Sequence, residues 1–249
     1  MLRGKIYLVL GIGTDIGKTH LVENFCKILR QKKISVSAIK PVVSGFAEND
    51  QTSDPARILT ALGLEISQKN LDSISPWRFA KAASPHVAGK INFSEIKNFC
   101  LEKILQARAL DQFLFVEAAG GVMTPITEDK TFLDLASELE IPTLLVSANY
   151  LGSISHTLCA VEALRSKKIF VEKIVVNESC QSYLKPELLS SDIWGSPQGG
   201  ASLVRRENKK SCQSYLEPEL ASSGLADSEF IKSIENFSKI TTISIKNPL

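Results

Sequence analysis

A glycine turn set between an apolar run and a helical pattern constrains this chain more than any other feature. Ile6–Leu10 is continuously apolar, as in a parallel strand covered on both faces, and Gly11-Ile-Gly-Thr-Asp-Ile-Gly-Lys-Thr19 follows it directly. Behind the turn, Leu21, Val22, Phe25, Ile28 and Leu29 recur at helical spacing, and Arg30, Lys32 and Lys33 sit where cations suit a helix C-terminus. A strand, a glycine turn and a helix opening on Lys-Thr form the context of a phosphate-binding loop. Main-chain N–H groups at the helix start face phosphate oxygens, Lys18 neutralises the β- and γ-phosphates, and the Thr19 hydroxyl suits Mg²⁺. The strict G-x-x-x-x-G-K-[ST] spacing is missed because residue 12 is Ile, the glycines standing at 11 and 17. A dinucleotide fingerprint fails too, because residue 16 is Ile and the second strand ends in Lys40 where that fold wants an acid. An NADP-binding Rossmann protein is therefore the least favoured alternative.

The rest of the chain alternates strand and helix. Ile34–Ile39 reads as a second strand stopped by Pro41, and Ser53-Asp54-Pro55 as a helix start, with Asp54 as its cap. Helices are expected over Ser94–Leu110, Phe132–Leu139 and Ser153–Leu164, and around Phe230–Phe237. Strands are expected at Phe113–Val116, Thr143–Val146, Ile174–Val176 and Ile240–Ile245. Repeated β-α-β units predict a single α/β domain over 1–249: a doubly wound, mainly parallel sheet of P-loop NTPase type with helices on both faces. In such sheets ligands bind beyond the carboxyl ends of the strands. Lys40 and Glu117 stand there, and Glu117 holds the position of a Mg²⁺-binding carboxylate facing the loop.

Composition removes other classes. A net charge of +2 without long runs of one sign gives no case for nucleic acid or an anionic membrane, and 44% hydrophobic against 22% charged residues excludes a disordered chain. No apolar stretch is long enough to span a membrane, and the first ten residues read as a core strand rather than an export signal. Five cysteines without a C-x-x-C pair fit reduced, cytoplasmic thiols. One segment breaks the alternation: SCQSYLKPELLSS at 179–191 recurs as SCQSYLEPELASS at 211–223, which marks 178–226 as a duplicated or inserted surface segment.

Taken in order, Gly11–Thr19, Lys40-Pro41-Val42 with Ser44-Gly45, Ser53-Asp54 and Ser84-Pro85-His86 form one half of a longer pattern. Glu117-Ala-Ala-Gly-Gly121 with Thr124-Pro125, Leu151-Gly152 with His156, and Val176-Asn177 complete it. Over residues 5–177 the chain resembles the dethiobiotin synthetase family. The resemblance implies an ATP-dependent cyclo-ligase that joins 7,8-diaminopelargonate and CO₂ into dethiobiotin, with ATP and Mg²⁺ required. It implies Lys40 as the catalytic lysine, and ATP contacts from Gly13, Thr14, Asp15, Ile16, Gly17, Lys18, Thr19, His20, Asp54, Glu117, Ala118, Ala119, Gly120, Asn177 and Glu178. Within that set Thr19, Asp54 and Glu117 surround the metal and Asn177 meets the adenine. Thr14 and Ser44 would contact the diamine. Gly152, Ser153 and Ser155 would offer a helix start to the substrate carboxylate from the second subunit of a homodimer. Where the family usually has Gly, Asn and Asp, this chain has Ala118, Ser155 and Glu178, and Asn247-Pro248 is the nearest counterpart of its adenine-side proline loop. A partition-type P-loop ATPase switch is the remaining alternative. Those proteins carry a second lysine where this chain has Gly13.

Overall fold

The computed structural model describes residues 4–177, 240 and 242–245. The repeat at 179–191 and 211–223, the helix expected around 230–237, Glu178 and Asn247-Pro248 lie outside the described residues. Six strands form one wholly parallel sheet in the order β2-β5-β1-β6-β7-β8. They are β1 (Ile6–Gly11), β2 (Val36–Ile39), β5 (Phe113–Glu117), β6 (Thr143–Ala148), β7 (Val171–Asn177) and β8 (Thr242–Ile245). β5 and β6 are buried along their whole length, which is why their sequences show no polar alternation. From β1 the chain first moves outward to β2 and later crosses to β6 on the other side. With right-handed crossovers, that reversal puts helices on both faces of the sheet.

α1 (Lys18–Gln31) buries Leu21, Val22, Cys26 and Leu29 and packs on α2 (Asp54–Leu62), while α5 (Phe93–Ala109) packs on α6 (Phe132–Leu139). α6 opens on a capping box: the Thr131 hydroxyl accepts the Asp134 N–H, and the Asp134 carboxylate accepts the Thr131 N–H. α7 (Ser153–Ser166) connects β6 to β7.

Two expectations shift. β2 begins at Val36 rather than Ile34, because the Ile34 N–H is taken by the Leu29 carbonyl closing α1. Beyond Pro41 a second, two-stranded parallel sheet was not foreseen. It pairs β3 (Val42–Ser44) with β4 (Trp77–Phe79), in the register Val42↔Trp77. α3 (Gln68–Ile74) precedes β4 in sequence and α4 (Pro85–Ala88) follows it.

Cys26 and Cys100 are fully buried, and burial pushes both thiols up to about 12, whereas Cys159 is exposed. Iodoacetamide is therefore expected to label Cys159 in the native protein and to reach Cys26 and Cys100 only after denaturation. Peptide mass mapping separates the sites, and native labelling of Cys100 would contradict this core.

Candidate active site

The glycine loop is bent by two left-handed residues, Asp15 at φ 55° and Gly17 at φ 97°, and Gly17 caps α1. Its second residue is anchored to the sheet by the Ile12 N–H on the Val146 carbonyl. At the other end the buried Asn177, last residue of β7, donates Nδ2–H to the Ile16 carbonyl at 3.1 Å. A Cβ on Gly17 would stand 2.2 Å from that Nδ2, so only glycine lets β7 approach. The N-terminus of α1 then faces a cleft of about 970 Å³ over the carboxyl ends of β1, β2, β5 and β7.

β2 and β5 are neighbours with Ile39 opposite Val116, so the next residues on each, Lys40 and Glu117, emerge side by side. Lys40 is 6% exposed and Glu117 is 1% exposed. The Lys40 ammonium donates to Glu117 Oε1 at 2.7 Å, to Thr19 Oγ1 at 3.3 Å and to the Asp54 carboxylate, and Thr19 donates its hydroxyl to Glu117 Oε1 at 2.6 Å. Burial acts against a charged lysine here, yet the Glu117 and Asp54 carboxylates outweigh it and hold Lys40 above its usual range. Burial likewise pushes the Asp54 carboxyl up, and the Lys40 ammonium overrides it and keeps Asp54 below the usual range. Asp54 is the first residue of α2, not its cap; Ser53 takes the cap position, leaving the Asp54 carboxylate to face Lys40.

Glu117 Oε2 is buried with no hydrogen-bond partner. With Thr19 Oγ1 and the Asp54 carboxylate beside the same ammonium, it completes a set of hard oxygen donors of the kind Mg²⁺ takes. Lys18 folds back to donate to the Gly13 carbonyl at 2.7 Å. Burial, reinforced by repulsion from Lys40, pulls Lys18 down to about 8 against the opposing Glu117, Asp54 and Asp15. Phosphate oxygens arriving at the loop raise it again, so nucleotide binding is expected to take up protons as the pH rises through about 8 and none well below it. Calorimetric titration in two buffers of different ionisation enthalpy measures this uptake. Identical heats at pH 8.5 would rule it out.

Of the residues expected at the site, Thr14, Asp15, Gly17, Lys18, Thr19 and His20 line the cleft, as do Lys40, Ser44, Asp54, Glu117, Ala119, Gly120 and Asn177. Ser44 Oγ is buried there without a partner. Gly13, Ile16 and Ala118 do not line the cleft. Gly13 and Ile16 shape the loop through their carbonyls, and Ala118 is tied into the sheet by its N–H on the Val9 carbonyl. The positive φ of the Glu117–Gly121 turn falls at Gly120, and Ala118 is not among the positive-φ residues, so its Cβ brings no backbone strain. Gly152, Ser153 and Ser155 open α7 outside the cleft, and the fully buried Ser153 spends its hydroxyl on the Tyr150 carbonyl of its own turn.

The facing wall was anticipated only at Ser44 and Ser84-Pro85, not as a built surface. It is made by β3 and the Ala82–Pro85 segment after β4, together with Arg57, which Glu23 grips through Nε and Nη2 at 3.2 and 2.7 Å. The pair Val42-Val43 directly after Pro41 was the local sign of the β3 strand in the sequence.

A family model described as an AAA domain matches residues 5–209. An ATP-dependent dethiobiotin synthetase of a Caulobacter species is 41% identical over 175 residues, covering 69% of this chain and 75% of its own. The enzyme of the same name from Phenylobacterium zucineum is 38% identical over 180 residues, 70% of this chain and 76% of its own. That from Methanococcus vannielii is 36% identical over 170 residues, 68% and 77%. Among solved structures, a ParA family ATPase from Chlorobium tepidum aligns with a TM-score of 0.46 at 12% identity, covering 99% of this chain and 84% of its own.

Proposed function

The chain belongs to the dethiobiotin synthetase family, and from that premise we propose that it closes 7,8-diaminopelargonate and CO₂ into dethiobiotin at the expense of ATP, releasing ADP and phosphate. The observation that carries this reading is the buried Lys40 ammonium, held between Glu117 and Asp54 at the foot of the glycine loop. One substrate amine takes up CO₂ as a carbamate. A carbamate oxygen attacks the γ-phosphorus as the bond to ADP breaks. The second amine then attacks the carbamate carbon, the C–O bond to phosphate breaks, and the amine protons leave. Little of this needs covalent help from the protein; it needs the reactants held in line and their charge neutralised.

Lys18 and the N-terminal N–H groups of α1 bind the phosphates. Lys40, fixed in position by its two carboxylates, faces the oxygens that gain charge between carbamate and γ-phosphate. Thr14 and Ser44 hold the diamine, and Asn177 meets the adenine. Thr19, Asp54 and Glu117 would hold Mg²⁺, which when bound neutralises charge on the β- and γ-phosphates. The start of α7 at Gly152–Ser155 serves the cleft of a second protomer in a homodimer. Its support is that this helix start lies outside its own cleft beside Leu151, which is 100% exposed.

The chain reads as one catalytic domain, and the repeat-bearing segment 178–226 lies outside the described residues. The parallel pairing of β8 with β7 in the same sheet supports the single domain. No helix among the described residues is long and apolar enough to cross a membrane, and reduced thiols fit a cytoplasmic enzyme. The test is ATP turnover by the purified protein with diaminopelargonate and bicarbonate. Turnover that persists undiminished when the diamine is omitted would overturn the proposal.

A further inference from the structure

The segment that follows Glu117 is fastened more tightly than a connecting loop requires. The Val122 N–H bonds to the Gly11 carbonyl, the Phe132 N–H to the Thr124 carbonyl, and the Ser84 hydroxyl, from the facing wall, to the Pro125 carbonyl at 3.2 Å. At the centre of this fastening, Thr124 Oγ1 accepts the Gly121 N–H at 2.7 Å. A hydroxyl has one hydrogen and two lone pairs. Accepting from Gly121 uses one lone pair and fixes the oxygen. The hydrogen and the other lone pair stay available, and Thr124 is half-buried in the lining of the cleft.

Gly120 makes this placement possible. It is left-handed at φ 68°, and a Cβ there would come within 2.4 Å of Thr124 Oγ1. A Cβ on Gly121 would lie 3.2 Å from the Ile12 carbonyl, so this segment also presses against the glycine loop. The hydroxyl is thereby fixed on the cleft wall formed by this segment.

Resting on the cyclo-ligase reading, we infer that Thr124 contacts the substrate: its hydroxyl donates to an oxygen of the carbamate formed from the diamine. The carbamate is a planar anion with two oxygens. A lysine on one side neutralises it without fixing its plane, and a neutral donor whose own oxygen is fixed supplies that second point. The Gly121 N–H acts as a brace for the donor, so Thr124 needs a hydroxyl and tolerates the loss of its methyl group.

Thr124→Val keeps the shape and removes the hydroxyl; Thr124→Ser keeps the hydroxyl. The affinity for diaminopelargonate is measured with and without bicarbonate, together with the affinity for a non-hydrolysable ATP analogue and turnover. In the wild type, bicarbonate is expected to tighten diamine binding. In Thr124→Val that gain is lost and kcat/KM for the diamine falls by about 10- to 100-fold, the size of one hydrogen bond to a charged group. Affinity for the ATP analogue and for the diamine without bicarbonate is retained, and Thr124→Ser recovers most of the activity. Thr124→Val turnover within twofold of wild type overturns the assignment. So does a parallel loss of ATP affinity, which makes Thr124 a brace of the loops alone. A wild-type protein without diamine-dependent turnover overturns the ligase reading itself, and the assignment with it.

Discussion

Replacing Lys40 by alanine is expected to lower turnover by about 10³-fold while leaving nucleotide binding in place, the scale on which a single charge aimed at a phosphoryl-transfer transition state acts. Lys40 contributes no backbone to the glycine loop and does not bond to the Gly13 carbonyl that holds Lys18, so the phosphate cradle keeps its shape without it. What the variant loses is the positive charge between Glu117 and Asp54. Removing it also leaves Glu117, 1% exposed, as a buried carboxylate without its cation, and breaking a buried pair in this way costs about 3–5 kcal/mol. The variant is therefore expected to melt well below the wild type in EDTA and to regain much of the difference in Mg²⁺, because the same carboxylates then meet another cation. Single-turnover ADP formation and thermal melting with and without Mg²⁺ are the measurements. Wild-type turnover in the variant would remove Lys40 from the mechanism.

Gly17→Ala is expected to be nearly as severe, for a different reason. The substitution puts a Cβ on a residue at φ 97°, a conformation costing about 1–3 kcal/mol for a non-glycine residue, and drives that Cβ into Asn177 Nδ2. Asn177 must then release the Ile16 carbonyl, and the turn that aims the α1 N–H groups loses its tie to β7. ATP affinity is expected to fall by about 100-fold or more, the sum of that strain and one buried hydrogen bond. The double variant Gly17→Ala/Asn177→Ala locates the cause. If the clash dominates, the second change adds almost nothing to the first; full additivity would mean that the two residues act independently.

The parts of this site that were legible in the sequence are those that physical periodicity marks. Lys40 and Glu117 each stand at the end of a strand pattern, and a parallel sheet brings such ends together, so reading two strands was enough to place two side chains on one cleft, while Asn177 at the end of β7 came from the family resemblance. Thr19 and Lys18 followed from the turn itself. The β3–β4 pairing behind the facing wall was not legible because both strands are three residues long and Trp77, Arg78 and Phe79 are all only partly buried. So short a run has neither alternation nor an apolar block to betray it. Pro41 hid β3 further, since it marked an end to β2 and gave no sign that a new pairing begins at the next residue. Ser153 illustrates a different limit. Its residue type suits a helix-start anion site, but whether a serine hydroxyl faces outward or back to its own turn depends on a local hydrogen bond that composition does not record.

The outermost position of β2 has a consequence for how such an enzyme fails. Among the described residues β2 pairs with β5 alone, so Lys40 follows an end member of the sheet while Glu117 lies one strand further in. Edge elements open at a lower free energy than central ones. Partial detachment of four residues would separate the ammonium from its carboxylates while β5, β1 and β6 stay packed. On warming, the chemistry would thus disappear while most of the core still gives a folded signal. The working temperature of the catalyst would then be set by the hold on one short border strand, and only loosely by the melting of the whole.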